Sequence, residues 1–127
     1  MPRQPVAFCG TLERMFPNPG SLATAAILQT FRAALDAMYG ERIERVVLYG
    51  SQARGDARPD SDYDVAVFLN GLDAPSDRWA EADKIAVAAT NILNETGAII
   101  HAMPYRAGAY LERTPLMHEI RREGLDL

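Results

Sequence analysis

Residues 50–64 read GSQARGDARPDSDYD and run directly into the apolar segment VAVFL at 65–69. The stretch opens with a glycine and a serine, contains two arginines and holds four aspartates, two of them in the closing Ser61-Asp62-Tyr63-Asp64. Carboxylates gathered at the start of a buried strand repel one another unless a cation or a hydrogen-bond donor compensates them. The strands and helices on either side of the loop fix where these carboxylates lie, and so which cation or donor can reach them.

Strands are predicted on both sides of the loop. Residues 45–49 (RVVLY) and 63–69 (YDVAVFL) are rich in β-branched and aromatic side chains, which favours buried strands. A short helix is predicted to begin at Ser51. Longer helices are predicted from Ser21 to about Tyr39 and from Ser76 or Asp77 to Gly97, because apolar residues recur there at spacings of three and four. These residues are Leu28, Phe31, Leu35 and Met38 in the first helix, and Trp79, Ala82, Ile85, Ala86, Ala89, Ile92 and Leu93 in the second.

The remaining segments complete one domain. A third strand is predicted over 98–103 (AIIHAM), with Pro104 ending it, because proline does not continue a central ladder. Two short helices follow, the last one capped by Thr114, with Pro115 at its first position, and ending at Gly124. Residues 1–20 hold four of the eight prolines and are predicted to form an N-terminal arm ahead of a domain at 21–127. This order of elements is α/β, or α+β.

Composition excludes several classes of function. The chain has 127 residues, a formal net charge of -4 and Cys9 as its one cysteine. A net acidic chain is a poor nucleic-acid binder, since phosphate contacts need clustered Lys and Arg. One cysteine forms no intrachain disulfide, and neither a signal peptide nor an apolar stretch of membrane-spanning length is visible. We therefore expect a cytoplasmic protein without a nucleic-acid or membrane partner.

The chemistry of the 50–64 loop suits a phosphate and a divalent metal. Gly50 and Ser51 lie where free backbone N–H groups attract anions, and Arg54 follows one helical turn later. Asp62 and Asp64 are separated by one residue at a strand start, so their carboxylates share a face, roughly 7 Å apart at the backbone. Two such oxygen ligands suit Mg²⁺. A solvated acidic loop is the alternative reading.

The pattern resembles a known signature. Gly50-Ser51, Arg54-Gly55 and Ser61-Asp62-x-Asp64 resemble the G-S-x-x-R-G…S-D-x-D motif of minimal nucleotidyltransferases of the DNA polymerase β superfamily. The resemblance implies a small mixed β-sheet flanked by helices and transfer of AMP from ATP. It also implies that Gly50, Ser51, Arg54 and Ser61 hold the nucleotide and that the catalytic Asp62 and Asp64 bind Mg²⁺ or Mn²⁺.

The chain departs from that family at one position. Such enzymes usually carry a third carboxylate on the next strand, where this chain has AIIHAM and offers His101 as a possible substitute. Small members of the family are frequently antitoxins paired with a HEPN-type toxin, which implies a protein partner here. A catalytically degenerate binding module and an enzyme that modifies a small molecule remain alternatives. The apolar C-terminal residues Tyr105, Tyr110, Leu111, Leu116 and Met117 are expected to lie in the core rather than on a partner or oligomer surface.

Overall fold

A four-stranded mixed sheet organises the chain in the computed structural model, which describes residues 21–58 and 61–127. The predicted N-terminal arm, residues 1–20, lies outside the described residues. Helices and strands occupy α1 (Ser21–Tyr39), β1 (Ile43–Tyr49), α2 (Ser51–Arg54), β2 (Tyr63–Leu69), α3 (Pro75–Thr96), β3 (Ile100–Arg106), α4 (Pro115–Glu123) and β4 (Leu125–Asp126). Short 3₁₀ helices lie at Gly40–Arg42 and Ala109–Leu111. None of the described helices is both long and apolar enough to cross a bilayer.

The strand order in the sheet is β3-β2-β1-β4. The strands β1 and β2 are antiparallel and joined by the 50–62 segment, whereas β2 and β3 are parallel and joined by α3. Parallel neighbours need such a crossover because the chain must return to the same end of the sheet. The prediction of a small mixed sheet flanked by helices is confirmed.

The core occupies both faces of the sheet. One face, with Val46, Leu48, Val65 and Val67, packs against α1 and α3. The opposite face contributes Val47, Ala66 and Phe68, and the C-terminal segment covers it through Ala109, Met117 and Ile120. Alternation of side chains along each strand produces this division. Strands covered on both faces read as continuous apolar runs, which explains the segments VVL and VAVFL.

Proline does not end the third strand, contrary to the expectation from sequence. The strand β3 continues through Pro104, which pairs with Val67, and ends at Arg106. The strand lies at the edge of the sheet, where alternate residues turn their N–H groups outward and a missing N–H costs no ladder bond. The expectation was wrong because it treated this strand as central.

Two predicted helix faces are partly solvent-exposed. In α3, Ile85, Ala89 and Ile92 are buried as predicted, but Trp79 is 63% exposed and Leu93 is 41% exposed. The face of α3 that enters the core is narrower than the apolar stripe in the sequence. Met38 in α1 is also exposed.

The apolar residues near the C-terminus likewise include both buried and exposed side chains. Met117 is buried, which confirms the expectation of a core position for it, whereas Tyr105, Tyr110 and Leu116 are partly buried and pack against the cluster that contains Met117. Leu111 is 74% exposed, and for it the expectation was wrong.

The last helix follows its sequence signals. The Thr114 side chain accepts a hydrogen bond from the Met117 N–H (3.2 Å), and Pro115 occupies the first helical position. The chain then turns at Gly124 into β4, which pairs with β1. The sequence did not predict this two-residue strand.

Thr114→Ala should lower the free energy of unfolding by about 1 kcal/mol, because the first turn of α4 loses its capping acceptor. Thr90→Ala is the matched control: its hydroxyl bonds the Ala86 carbonyl within α3 (2.8 Å) and caps nothing. We expect the control to be neutral or slightly stabilising. Urea unfolding of both variants checks this, and equal losses would contradict the assignment of the cap.

Candidate active site

Three strands place one residue each in a row across the sheet. Asp64 on β2 pairs with Tyr49 on β1 and with His101 on β3. Residues paired in this way project from the same face, which is the face that the C-terminal helix covers further along the strands. The His101 Nδ1 lies 3.8 Å from Asp64 Oδ1, an ion-pair distance when the imidazole is protonated. The structure therefore brings His101 beside one of the two predicted metal ligands.

Burial and neighbouring charges perturb Asp64. Burial raises the pKa of this carboxyl above its usual range, and the carboxylates of Asp62 and Glu119 raise it further. The imidazole of His101 acts in the opposite direction. Burial is also the main reason that the pKa of Tyr49 rises to about 12. A bound cation would relieve the unfavourable charge that this half-buried carboxylate carries at neutral pH.

The backbone of Gly50 lies directly against the Asp64 carboxylate. Gly50 has φ 77°, in the left-handed region, and its carbonyl accepts the hydrogen bonds that begin α2, from the N–H groups of Ala53 (3.1 Å) and Arg54 (3.0 Å). A Cβ at Gly50 would come 2.5 Å from Asp64 Oδ2. Only glycine satisfies both the backbone angle and the contact. Ser51, the first residue of α2, is half-buried beside it.

The loop that precedes β2 is tied back to α2. The Ser61 hydroxyl accepts a hydrogen bond from the Arg58 N–H (2.8 Å), and the Ser61 carbonyl accepts one from Gln52 Nε2 (3.1 Å). These contacts hold the residue before Asp62 close to the start of the helix. Asp62 itself is exposed. The predicted role of Ser61 in nucleotide binding stays a prediction, since its hydroxyl serves the loop here.

Arg54 is engaged in ion pairs. Its Nε lies 3.2 Å from Asp56 Oδ2, and its Nη1 lies 3.1 Å from Glu123 Oε1 at the end of α4. The pair with Glu123 links α2 to the C-terminal helix. To bind a phosphate, Arg54 would have to exchange one carboxylate for the phosphate oxygens, so its predicted role also stays a prediction.

The carboxylates form a pair rather than a complete metal cage. Among residues 21–58 and 61–127, no three side chains of His, Cys, Asp or Glu lie close enough together to enclose a metal ion. Asp62 and Asp64 supply carboxylate oxygens, the ligand type with which Mg²⁺ is bound in proteins together with water or phosphate oxygens. Reasoning from sequence missed Tyr49 and Glu119 as neighbours of Asp64; only the strand register would have revealed Tyr49.

Gly50→Ala should reduce stability by about 2 kcal/mol or more, because the left-handed backbone becomes strained and the new methyl group meets Asp64. The second variant, Gly50→Ala with Asp64→Ala, removes the contact and is compared with Asp64→Ala alone, because losing this carboxylate should itself raise stability. Gly50→Ala should cost less in the Asp64→Ala background than in the wild type, which thermal unfolding of the three variants measures. If Gly50→Ala costs the same in both backgrounds, backbone strain alone explains the need for glycine.

Asp64→Asn should raise the melting temperature in metal-free buffer at pH 7. The folded-state pKa of Asp64 is raised, so the stability that this group contributes is complete below its unfolded pKa and is lost as pH rises through the folded pKa. The gain should vanish below about pH 4, where the unfolded carboxyl is also protonated. Asp83→Asn, at an exposed position on α3, serves as control and should change little at either pH. A lower melting temperature for Asp64→Asn at pH 7 would contradict the prediction.

The chain is similar to a known protein family and to solved structures. A family model described as a nucleotidyltransferase domain matches residues 28–103. A crystal structure of a toxin–antitoxin complex with AMP-PNP is 17% identical, with a TM-score of 0.51 over 76% of this chain and 68% of the other. A crystal structure of a mutant of the toxin–antitoxin complex MntA-HpeT is 15% identical, with a TM-score of 0.50 over 75% and 68%. Among curated proteins none matches.

At these identities the solved structures show a shared fold. The family model is the stronger finding, because it spans more than half of the chain, from α1 to β3, and includes Gly50, Asp62, Asp64 and His101. The chain belongs to the nucleotidyltransferase domain family.

Proposed function

We propose that the protein binds ATP with Mg²⁺ or Mn²⁺, transfers AMP to a hydroxyl group of a partner protein, and acts in this way as the antitoxin of a HEPN-type toxin. The observation that carries the proposal is the approach of the Gly50 backbone to the Asp64 carboxylate, within a segment that matches the family. A backbone without a side chain lets a phosphate approach its N–H groups closely, and the adjacent carboxylate would hold the accompanying cation.

Each site residue has a part in this reaction. Gly50 and Ser51 would hold the triphosphate through backbone N–H groups and the serine hydroxyl, with Ser61 and Arg54 near it. Asp62 and Asp64 would hold the metal, and the raised pKa of Asp64 fits a carboxyl that gains a cation on binding. The bound metal would polarise the α-phosphate and neutralise the charge on the leaving pyrophosphate.

The reaction is a displacement at phosphorus. The acceptor oxygen forms a bond to the α-phosphorus, the bond from that phosphorus to the bridging oxygen of the β-phosphate breaks, and pyrophosphate leaves with its electron pair. The acceptor proton must pass to a base. His101, exposed and beside Asp64, is the group on β3 that would accept it, in place of the carboxylate that the family usually carries there.

The antitoxin role is supported by the two toxin–antitoxin complexes that share the fold, one of them solved with AMP-PNP. A binding module that inhibits its partner without transfer is the second candidate. The ion pairs that engage Arg54 favour it, since they leave the phosphate site less complete. Action on a small-molecule hydroxyl is the third.

Removing the carboxylates should weaken metal-dependent nucleotide binding. In titration calorimetry with ATP and Mg²⁺, Asp62→Asn with Asp64→Asn should bind at least about tenfold more weakly, because two charged oxygen ligands are lost. Asp83→Asn with Asp73→Asn changes two exposed carboxylates and keeps the same net charge as the test variant. Equal affinity of the two double variants for ATP would show that Asp62 and Asp64 bind neither the nucleotide nor its metal.

His101→Ala should slow AMP transfer about 10²-fold while leaving ATP affinity within about twofold, as expected for loss of a general base. His101→Asp restores a carboxylate and should recover part of the rate. Single-turnover transfer of labelled AMP to a co-expressed HEPN-type toxin measures both variants. An unchanged rate in His101→Ala would show that the base lies elsewhere.

Inhibition of that toxin separates the candidates. If Asp62→Asn with Asp64→Asn still forms the complex but no longer inhibits, transfer is the mechanism. Full inhibition by this variant supports the binding module. Rapid AMP transfer to an aminoglycoside, with no effect on the toxin, would support the small-molecule alternative.

A further inference from the structure

Within the described residues, the outer edge of β3 offers unpaired backbone groups beside the candidate site. The Tyr63 N–H donates to the Ile99 carbonyl (2.9 Å), and in a parallel ladder alternate residues bond to the same neighbour. Ile100 and Ala102 therefore direct their N–H and C=O groups away from β2. The described part of the chain places no further strand on that side of the sheet.

This open edge is short. Pro104, the next outward-facing residue, has no N–H, and its carbonyl already accepts a hydrogen bond from Arg78 Nε (2.8 Å). An edge blocked in this way does not accept a further strand, so addition along β3 is prevented from Pro104 onward. The open part lies next to His101, the residue that pairs with Asp64.

An apolar groove of about 430 Å³ runs along the open edge, between α3 and β3. Residues 99–103 form one wall, and Trp79, Ala86 and Leu93 stand on the other. Trp79 is 63% exposed, Ile99 49% and Leu93 41%. Free backbone groups at strand spacing, flanked by apolar side chains, match an extended peptide better than a helix, whose own backbone groups are already bonded.

The two faces of the sheet define the sequence of such a peptide. Ile100 and Ala102 face α3, whereas His101 faces the side that carries Asp64. In a strand added at this edge, the residue opposite His101 would point toward Asp64, and its two neighbours would point toward the groove.

We propose that the 100–102 edge of β3 binds an extended segment of the acceptor protein, with a hydroxyl-bearing residue opposite His101 and an apolar residue on each side of it. This inference rests on the proposed function for its acceptor, but the docking itself needs neither nucleotide nor metal. Backbone pairing supplies affinity, and the groove supplies selection for the flanking residues.

Two synthetic peptides of equal composition test the register. Lys-Asn-Val-Tyr-Val-Asn-Lys places valines on both sides of the tyrosine, its one hydroxyl-bearing residue, and Lys-Val-Asn-Tyr-Asn-Val-Lys moves the valines to the same face as the tyrosine. Trp79 is the single tryptophan of the chain and lines the groove, so its fluorescence reports occupancy. The first peptide should shift the emission to shorter wavelength and bind about tenfold more tightly than the second.

Three variants locate the effect. Ala86→Arg fills the groove from an exposed position of α3 and should weaken the first peptide about tenfold or more. Val87→Arg, at the next residue, faces a different groove and should leave binding unchanged. Ala102→Pro removes an outward N–H without breaking the β2–β3 ladder, as Pro104 does naturally, and should also weaken binding.

The outcomes separate the two proposals. If the first peptide shifts the fluorescence but the protein does not bind ATP, the docking edge is supported and the proposed function is overturned. ATP binding without a shift, equal affinity for the two peptides, or equal loss in Ala86→Arg and Val87→Arg would overturn the docking edge. Sedimentation that reveals a dimer of the protein, lost in Ala86→Arg, would also overturn it, since a second copy would then occupy the edge.

Discussion

The contact between the Gly50 backbone and the Asp64 carboxylate is the constraint on which the site depends. It requires β1 to end where β2 begins, so that the antiparallel register sets Tyr49 beside Asp64 and leaves the next residue against the carboxylate. The chain must turn there with a left-handed residue, and α2 begins from that residue's carbonyl. The position of the helix, the loop and the carboxylate thus follow from one backbone conformation.

This arrangement sacrifices stability in the free protein. A half-buried carboxylate beside Asp62 and Glu119 is held at a raised pKa, and Gly50 costs conformational entropy on folding. Such local costs persist where the surrounding structure is rigid enough to impose them. Here the rigid part is the β1–β2 pair, whose Val46, Val47, Val65 and Ala66 are almost fully buried.

Much of the fold was predictable, because its signals are local. The strand at 63–69, the short helix at Ser51 and the cap at Thr114 each depend on a few adjacent residues, and the structure has all three. The errors concern properties that local sequence does not contain. Pro104 belongs to β3 because that strand is at the edge, and Trp79 is exposed because the core-facing surface of α3 is narrow. Both depend on how elements pack.

The residues of the candidate site also differ in whether the local sequence predicts them. Gly50, Asp62 and Asp64 stand out in sequence because they are close together in a recognisable pattern. His101 was a lone residue 37 positions beyond Asp64, and only the parallel register of β2 and β3 sets the two side by side. Tyr49 and Glu119 gave no signal, since a strand-end tyrosine and a helix-surface glutamate are ordinary in any small domain.

The edge position of β3 decides how His101 is exposed. In a central strand, His101 would be enclosed between two neighbouring strands, and its side chain would be reached only from above the sheet. At the edge, its side chain is 69% exposed while its backbone stays in the ladder with β2. The imidazole is thus held beside Asp64 while its outer side stays open to solvent. An exposed edge also invites unwanted pairing, which Pro104 and the Arg78 hydrogen bond limit to the few residues nearest the site.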